Sequence, residues 1–174
     1  METALVVLVP EAERLVANYR RRYTHDGADG MPAHVTLLHP FMDTSRLDAG
    51  VEDELERLFG GRPTVPLVLR EADRWTDGES LLYLRPEPAE PFTAMIEALA
   101  GAFPDYPPYG GIHDEIVPHL TVAQGASALL DRIERELTGA LPIESPIETA
   151  WLCEHAPEGW RRRRAFQLGS APDR

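Results

Sequence analysis

Two short apolar runs, each carrying His-x-Thr, constrain this chain more than any other feature. The first reads His34-Val35-Thr36-Leu37 and follows Met31-Pro32-Ala33; the second reads His119-Leu120-Thr121-Val122 and follows Val117-Pro118. Successive side chains on a strand point to opposite faces. His34 and Thr36 therefore share one face while Val35 and Leu37 share the other, and His119 and Thr121 stand in the same relation to Leu120 and Val122. Each run presents a polar pair on one side and a packing pair on the other. A chain that does this twice has the parts of a two-histidine site.

The elements around the runs repeat as well. Ala4 to Val9 reads as a buried strand stopped by Pro10, and Glu11 to Tyr23 as a helix with Leu15, Tyr19 and Tyr23 on one stripe and arginines between them. A polar loop from His25 to Gly30 leads to the first histidine strand, about Ala33 to Leu38. A helix from Val51 to Phe59 stops at Gly60-Gly61, and a strand runs from Val65 to Glu71. The order then recurs: a strand at Leu81 to Leu84, and a helix marked by Phe92, Met95, Ile96, Leu99 and Phe103. A loop rich in Pro, Gly and Tyr precedes the second histidine strand, about Val117 to Ala123. A helix over Leu130, Ile133 and Leu137 follows, with Gly139 as its stop. Strands from Ile147 to Glu154 and from Arg161 to Leu168 close the chain through a turn at Ala156-Pro157-Glu158-Gly159. This order predicts a degenerate internal duplication, with one domain over 1–174 and lobes near 1–75 and 76–174. Packed by pseudo-twofold symmetry, the two polar faces would line one cleft between lobes, a common place for ligands.

Composition narrows the partners. The chain has 174 residues, 43% hydrophobic and 26% charged, with a net charge of −12 at pH 7. A body this acidic repels long duplex nucleic acid, whose binding depends on neutralising phosphates, but it leaves room for a small phosphorylated ligand in a polar cleft. No apolar run is long enough to span a bilayer, and the N-terminus lacks the pattern of a signal peptide. With Cys153 as the single cysteine, no internal disulfide framework is expected. The expectation is a cytoplasmic monomer with no membrane partner.

Paired histidines suit phosphodiester chemistry. An incoming oxygen must lose a proton, a leaving oxygen must gain one, and the phosphoryl oxygens need donors. Histidine titrates near pH 6.5, so one copy can act neutral and the other protonated. A threonine hydroxyl on the same face can donate to a non-bridging oxygen. The scheme requires no metal and no cofactor.

On these residues the chain resembles the two-histidine (2H) phosphoesterase superfamily, which includes the 2′-5′ RNA ligase-like proteins and cyclic phosphodiesterases. Its signature is a pair of His-x-Thr/Ser-x motifs half a domain apart. The run from Pro32 to Leu38, followed by Pro40-Phe41, is also similar to the bacterial 2′-5′ RNA ligase-like branch. The resemblance implies a bilobal α+β fold, with antiparallel sheets from two pseudo-symmetric halves lining a central cleft and helices outside. It implies metal-independent hydrolysis of a cyclic phosphate or 2′-5′ phosphodiester of a nucleotide or RNA end. His34 and His119 would be acid and base in an order left open, and Thr36 and Thr121 would bind phosphate. The alternatives are a 2′-5′ RNA ligase using the same site, and a non-catalytic module that binds a phosphorylated nucleotide.

The remaining candidates have plainer readings beside the functional ones. Tyr106 and Tyr109 can stack on a nucleobase or pack their loop down. Arg162 and Arg164, on one face of the only dense basic run, can reach a substrate phosphate or form a solvated hairpin edge with Arg161 and Arg163. His39 reads as a strand-end residue near substrate or solvent, and His113-Asp114-Glu115 as a solvated loop that could orient a histidine. Trp75, Trp151 and Trp160 read as packing or rim aromatics, and Cys153 as a small buried apolar residue.

Overall fold

The computed structural model describes residues 1–76, 80–111 and 116–169. Strand β1, Thr3–Leu8, is followed by helix α1, Pro10–Tyr23. Proline in the first turn of α1 loses no hydrogen bond there, and Glu11 and Glu13 at its start and Arg20 to Arg22 at its end complement the helix dipole. A single helical turn, α2 (His25–Ala28), is capped by Thr24, whose hydroxyl accepts from the Gly27 amide. This turn lies where a loop was expected. Strand β2, His34–Leu38, helix α3, Ala49–Gly60, and strand β3, Val65–Trp75, complete the first half. The second half contains β4 (Leu81–Glu87), α4 (Glu90–Ala102), β5 (Leu120–Gln124), α5 (Ser127–Thr138), β6 (Ile143–Ile147), β7 (Thr149–Ala156) and β8 (Gly159–Gln167).

The strands form two four-stranded antiparallel sheets, ordered β2-β1-β7-β8 and β5-β4-β3-β6. The orders match position for position, with β2 answering to β5 and β1 to β4, so the sheets are related by a pseudo-twofold. They are not built from contiguous halves. β3 joins β4, while β7 returns to pair with β1 and carries β8 on its outer side. The segment expected as one strand from Ile147 to Glu154 is two strands meeting at Glu148, β6 in one sheet and β7 in the other. Pro146 lies on β6, an edge strand, where a missing ladder donor is tolerated. β4 runs through Pro86, opposite Leu69, next to a register shift in β3.

The helices cross over as well. α1 joins the strands of the first sheet but packs on β5 and β6, and α4 joins strands of the second but packs on β2. Contacts from α1 to the second sheet's half include Glu11 with the Ser145 hydroxyl and Tyr19 with Glu136. Between the layers lies a continuous core. Leu5, Val7, Val35 and Leu37 contribute from β1 and β2, Leu82, Leu84, Leu120 and Val122 from β4 and β5, and Phe59 meets Phe166 at 5.5 Å. On the opposite face of β1, Ala4 and Val6 pack with Met31 and Cys153. Ala4, Val6 and Met31 on that face line a cavity. Among the described residues no helix is long and apolar enough to cross a membrane.

Candidate active site

The alternation of β2 and β5 turns Val35, Leu37, Leu120 and Val122 into the core and leaves the polar pairs on the other face. His34, Thr36, His119 and Thr121 line one cavity of about 320 Å³, together with Tyr109. Val6 lies opposite Thr36 in the ladder and Tyr83 opposite Thr121.

Both histidines are held the same way. His34 Nδ1 lies 2.7 Å from the Pro32 carbonyl and His119 Nδ1 lies 2.8 Å from the Val117 carbonyl, in each case two residues upstream. A carbonyl can only accept, so Nδ1 carries the hydrogen and Nε2 is left as the atom that exchanges a proton. The proline beside each motif takes part differently: Pro32 supplies its carbonyl, while Pro118 lies between acceptor and histidine.

Beyond that anchor the surroundings diverge. His34 is 8% exposed. Burial and the neighbouring Arg20 guanidinium push it down to about 4, against the opposing pull of Asp26 and the Pro32 hydrogen bond. The ordinary histidine value expected from sequence does not hold for it, and at neutral pH it is an uncharged imidazole. Asp26 Oδ2 lies 3.6 Å from His34 Nε2. Burial works to raise the Asp26 carboxyl, but Arg20, His34 and hydrogen bonds from Arg20 and Thr24 outweigh it and hold it below the usual carboxylate range.

Arg20 is 1% exposed. Its Nη1 donates to the Thr121 carbonyl at 2.6 Å, and its Nη2 donates to Asp26 Oδ2 at 2.8 Å and to the Met31 carbonyl at 3.4 Å. Nη2 also lies 3.5 Å from His34 Nδ1, but both are donors, so this is a contact and not a hydrogen bond.

His119 is framed by rings. Trp75 meets it edge-on at 4.5 Å, Tyr83 edge-on at 5.7 Å, and Tyr109 lies nearly parallel at 6.2 Å. Tyr109 has a left-handed backbone (φ 52°), and its amide donates to the His39 carbonyl, which pins the loop to the end of the first histidine strand. Burial pushes its hydroxyl up to about 12. Tyr106 instead packs its loop against Phe41 at 5.4 Å, under Arg46.

The other candidates separate clearly. His39 lies at the cavity rim, bonded to Glu2 at 2.6 Å, and Trp160 lines the cavity nearby. Arg162 and Arg164 do not line the cavity. Arg162 lies over the Trp151 ring in a separate groove, and Arg164 pairs with Glu52 and Glu56 of α3. Arg161 and Arg163 hold the buried Glu154. The structure therefore does not bring Arg162 or Arg164 to the cavity of the two histidines: Arg162 stacks on a ring and Arg164 pairs with carboxylates of α3. Cys153 is buried, which pushes its thiol up to about 11. His113-Asp114-Glu115 lies outside the described residues. Among the described residues no group of three or more His, Cys, Asp or Glu side chains is placed to hold a metal ion.

Arg20 and Asp26 were not anticipated. A signal existed: Ala12, Val16 and Arg20, spaced by four, form the buried stripe of α1. The stripe of Leu15, Tyr19 and Tyr23 that dominates the sequence pattern is only partly buried. An arginine on a core stripe marks a charge with a specific partner.

Two pseudo-symmetric antiparallel sheets that bring a His-x-Thr pair each to one cleft define a two-histidine α+β architecture. The model of the 2′-5′ RNA ligase superfamily matches residues 8–158, and the chain belongs to that family. A Bacillus pumilus protein named "Putative phosphoesterase" is 30% identical over 94% of this chain and 96% of its own length. A Geobacillus kaustophilus protein of the same description is 27% identical over 71% of this chain and 69% of its own. The fold is shared with TT0787 of Thermus thermophilus (TM-score 0.64, 20% identity, 97% and 98% of the two chains covered). It is also shared with Escherichia coli LigT, solved with 3′-AMP (TM-score 0.61, 16% identity, 96% and 97% covered).

Proposed function

We propose that this protein is a metal-independent phosphoesterase that hydrolyses a cyclic phosphate or 2′-5′ phosphodiester of a nucleotide or RNA end by two-histidine acid–base catalysis. The observation that carries the reading is the matched anchoring of two histidines in one cavity: each Nδ1–H is committed to a backbone carbonyl, which gives proton exchange to Nε2 in both. The relatives named as phosphoesterases support the reaction class.

The difference between the two environments supports one division of roles. His34, neutral at physiological pH, is the base and takes a proton from water at Nε2. The water oxygen bonds to phosphorus, and the bond from phosphorus to the leaving ribose oxygen breaks. His119, protonated, is the acid that delivers a proton to that oxygen. Thr36 and Thr121 donate to the non-bridging oxygens, whose charge grows in the transition state. The product is a phosphomonoester, and the pair is reset when His34 releases its proton to solvent and His119 takes one up.

The test is hydrolysis of a panel of 2′,3′-cyclic nucleotides in EDTA by wild type, His34→Ala and His119→Ala. Turnover that survives EDTA and collapses in both variants supports the reading. Loss in EDTA that zinc restores overturns the metal-free step. Ligand binding without turnover by the wild type favours a binding module.

A further inference from the structure

We propose that the buried Arg20 and the half-buried Asp26 are a positioning pair for His34, in which Asp26 carries the compensating charge when Nε2 takes a proton and Arg20 ties that carboxylate to the opposite His-x-Thr strand. This rests on the base role given to His34 above.

One oxygen is the centre of the device. Asp26 Oδ2 accepts from Arg20 Nη2 at 2.8 Å and lies 3.6 Å from His34 Nε2, so it faces one permanent cation and one titratable one. While His34 is neutral, Arg20 and Asp26 balance each other. A proton on Nε2 sets two cations against one carboxylate, with Arg20 Nη2 also 3.5 Å from His34 Nδ1 on the other side of the ring. Asp26 alone would clamp His34 as an imidazolium that cannot act as a base. Arg20 alone would forbid it a proton. Together they hold it neutral at rest and still let it accept one.

The surrounding chain is shaped to hold the pair. Arg20 lies on the core stripe of α1, where Ala12 and Val16 show that an apolar side chain suffices for packing, and burying a guanidinium is costly unless it is paired. The Thr24 hydroxyl donates to the Arg20 carbonyl and accepts from the Gly27 amide, which seats α2 on the end of α1. A Cβ on Gly27 would lie 2.6 Å from the Arg20 backbone and from Thr24 Oγ1, so the turn that carries Asp26 can approach this closely only as glycine. The Arg20 bond to the Thr121 carbonyl spans the two motifs, so the base's counter-charge and a phosphate-binding strand are placed by one side chain. His34 also faces His119 across the cavity, and His25, His39 and Tyr109 are the remaining titratable groups that line it with Asp26.

The two members predict opposite effects. In the full chain, the His34 ring signal is titrated by NMR in wild type, Asp26→Asn and Arg20→Gln, and kcat and KM for a 2′,3′-cyclic nucleotide are followed against pH. Asp26→Asn lowers the midpoint below the wild-type value of about 4 and cuts kcat by about tenfold or more with KM nearly unchanged. Arg20→Gln moves the midpoint up toward the ordinary value of about 6.5, and the acid limb of kcat/KM moves with it. Midpoints that stay fixed, or move in the same direction, overturn the proposal. If Arg20→Gln does not fold, Asp26→Asn decides alone, and a midpoint that stays or rises overturns it. Opposite shifts in a protein that hydrolyses no cyclic phosphate would sink the phosphoesterase reading and leave the pair standing. Turnover with unmoved titrations would sink the pair alone.

Discussion

The two half-sites share a backbone and differ in everything around it. Each places a histidine, a threonine and an Nδ1 anchor to the carbonyl two residues upstream, at distances that agree within 0.1 Å (2.7 and 2.8 Å). Around His34 lie small aliphatics and a half-buried ion pair: Ala4, Val6, Arg20 and Asp26. Around His119 lie Trp75, Tyr83 and Tyr109. The two halves keep the part that anchors Nδ1 and differ in the side chains around each ring. A symmetric pair of identical histidines would have no built-in preference for acid or base, and under the proposed function the divergence of the walls is what would supply one.

The sharpest way to break this comparison is to remove each histidine in turn. His34→Ala and His119→Ala should each reduce turnover of a cyclic phosphodiester by about 10² to 10⁴, measured under saturating substrate. A large loss in only one would mean that the half-sites do not act as a pair.

Next in size is the effect of pH. His34 must be neutral to act as a base, so the acid limb of kcat/KM should fall as pH drops through about 4 and not near 6.5, while loss of the His119 proton sets the alkaline limb. The same displacement acts on stability. The unfolded chain takes a proton on this residue below about 6.5 and the folded chain does not until about 4. The contribution is whole above pH 6.5 and is lost as pH falls toward 4, by roughly 3 kcal/mol. Urea unfolding of wild type and His34→Asn at pH 7 and 4.5 checks this, since the variant should lack that component of the slope.

Smaller effects test how far the symmetry extends. Thr36→Val and Thr121→Val should each cost about tenfold in kcat, near the lower end for one hydrogen bond to a charged group, and unequal losses would show which strand carries more of the phosphoryl charge. Gly27→Ala should destabilise the fold by about 1 to 3 kcal/mol, read as a lower urea midpoint, through the overlap of its Cβ with Arg20 and Thr24. At the bottom of the scale, Arg162→Ala should change turnover by less than about twofold, because its guanidinium stacks on Trp151 away from the cavity.

The contrast between Arg162 and Arg20 shows where sequence reading stops. The run from Arg161 to Arg164 stands out by local density, yet each side chain meets a partner on a neighbouring strand, ring or helix. Arg20 is hidden among Arg21 and Arg22, and its role depends on α1 crossing to the second sheet, which no local pattern encodes. The sheet exchange of β3, β7 and β8 belongs to the same class, because strand pairing over long separations leaves no periodic trace.

What the sequence determined by itself was local. The period-two alternation of His34 to Leu37 and of His119 to Val122 dictates which side chains share a face, because pleating is a property of adjacent residues. Helical stripes and stops followed for the same reason, and so did the repeated order of elements and the family they resemble. Tertiary structure alone decided the rest: that the two polar faces line one cavity, that Arg20 reaches the Thr121 carbonyl, and that His34 lies beside Asp26 in surroundings that keep it neutral. Desolvation and the Coulomb field of distant residues have no counterpart along the chain. They exist only once the fold has removed water and brought those charges within a few ångströms.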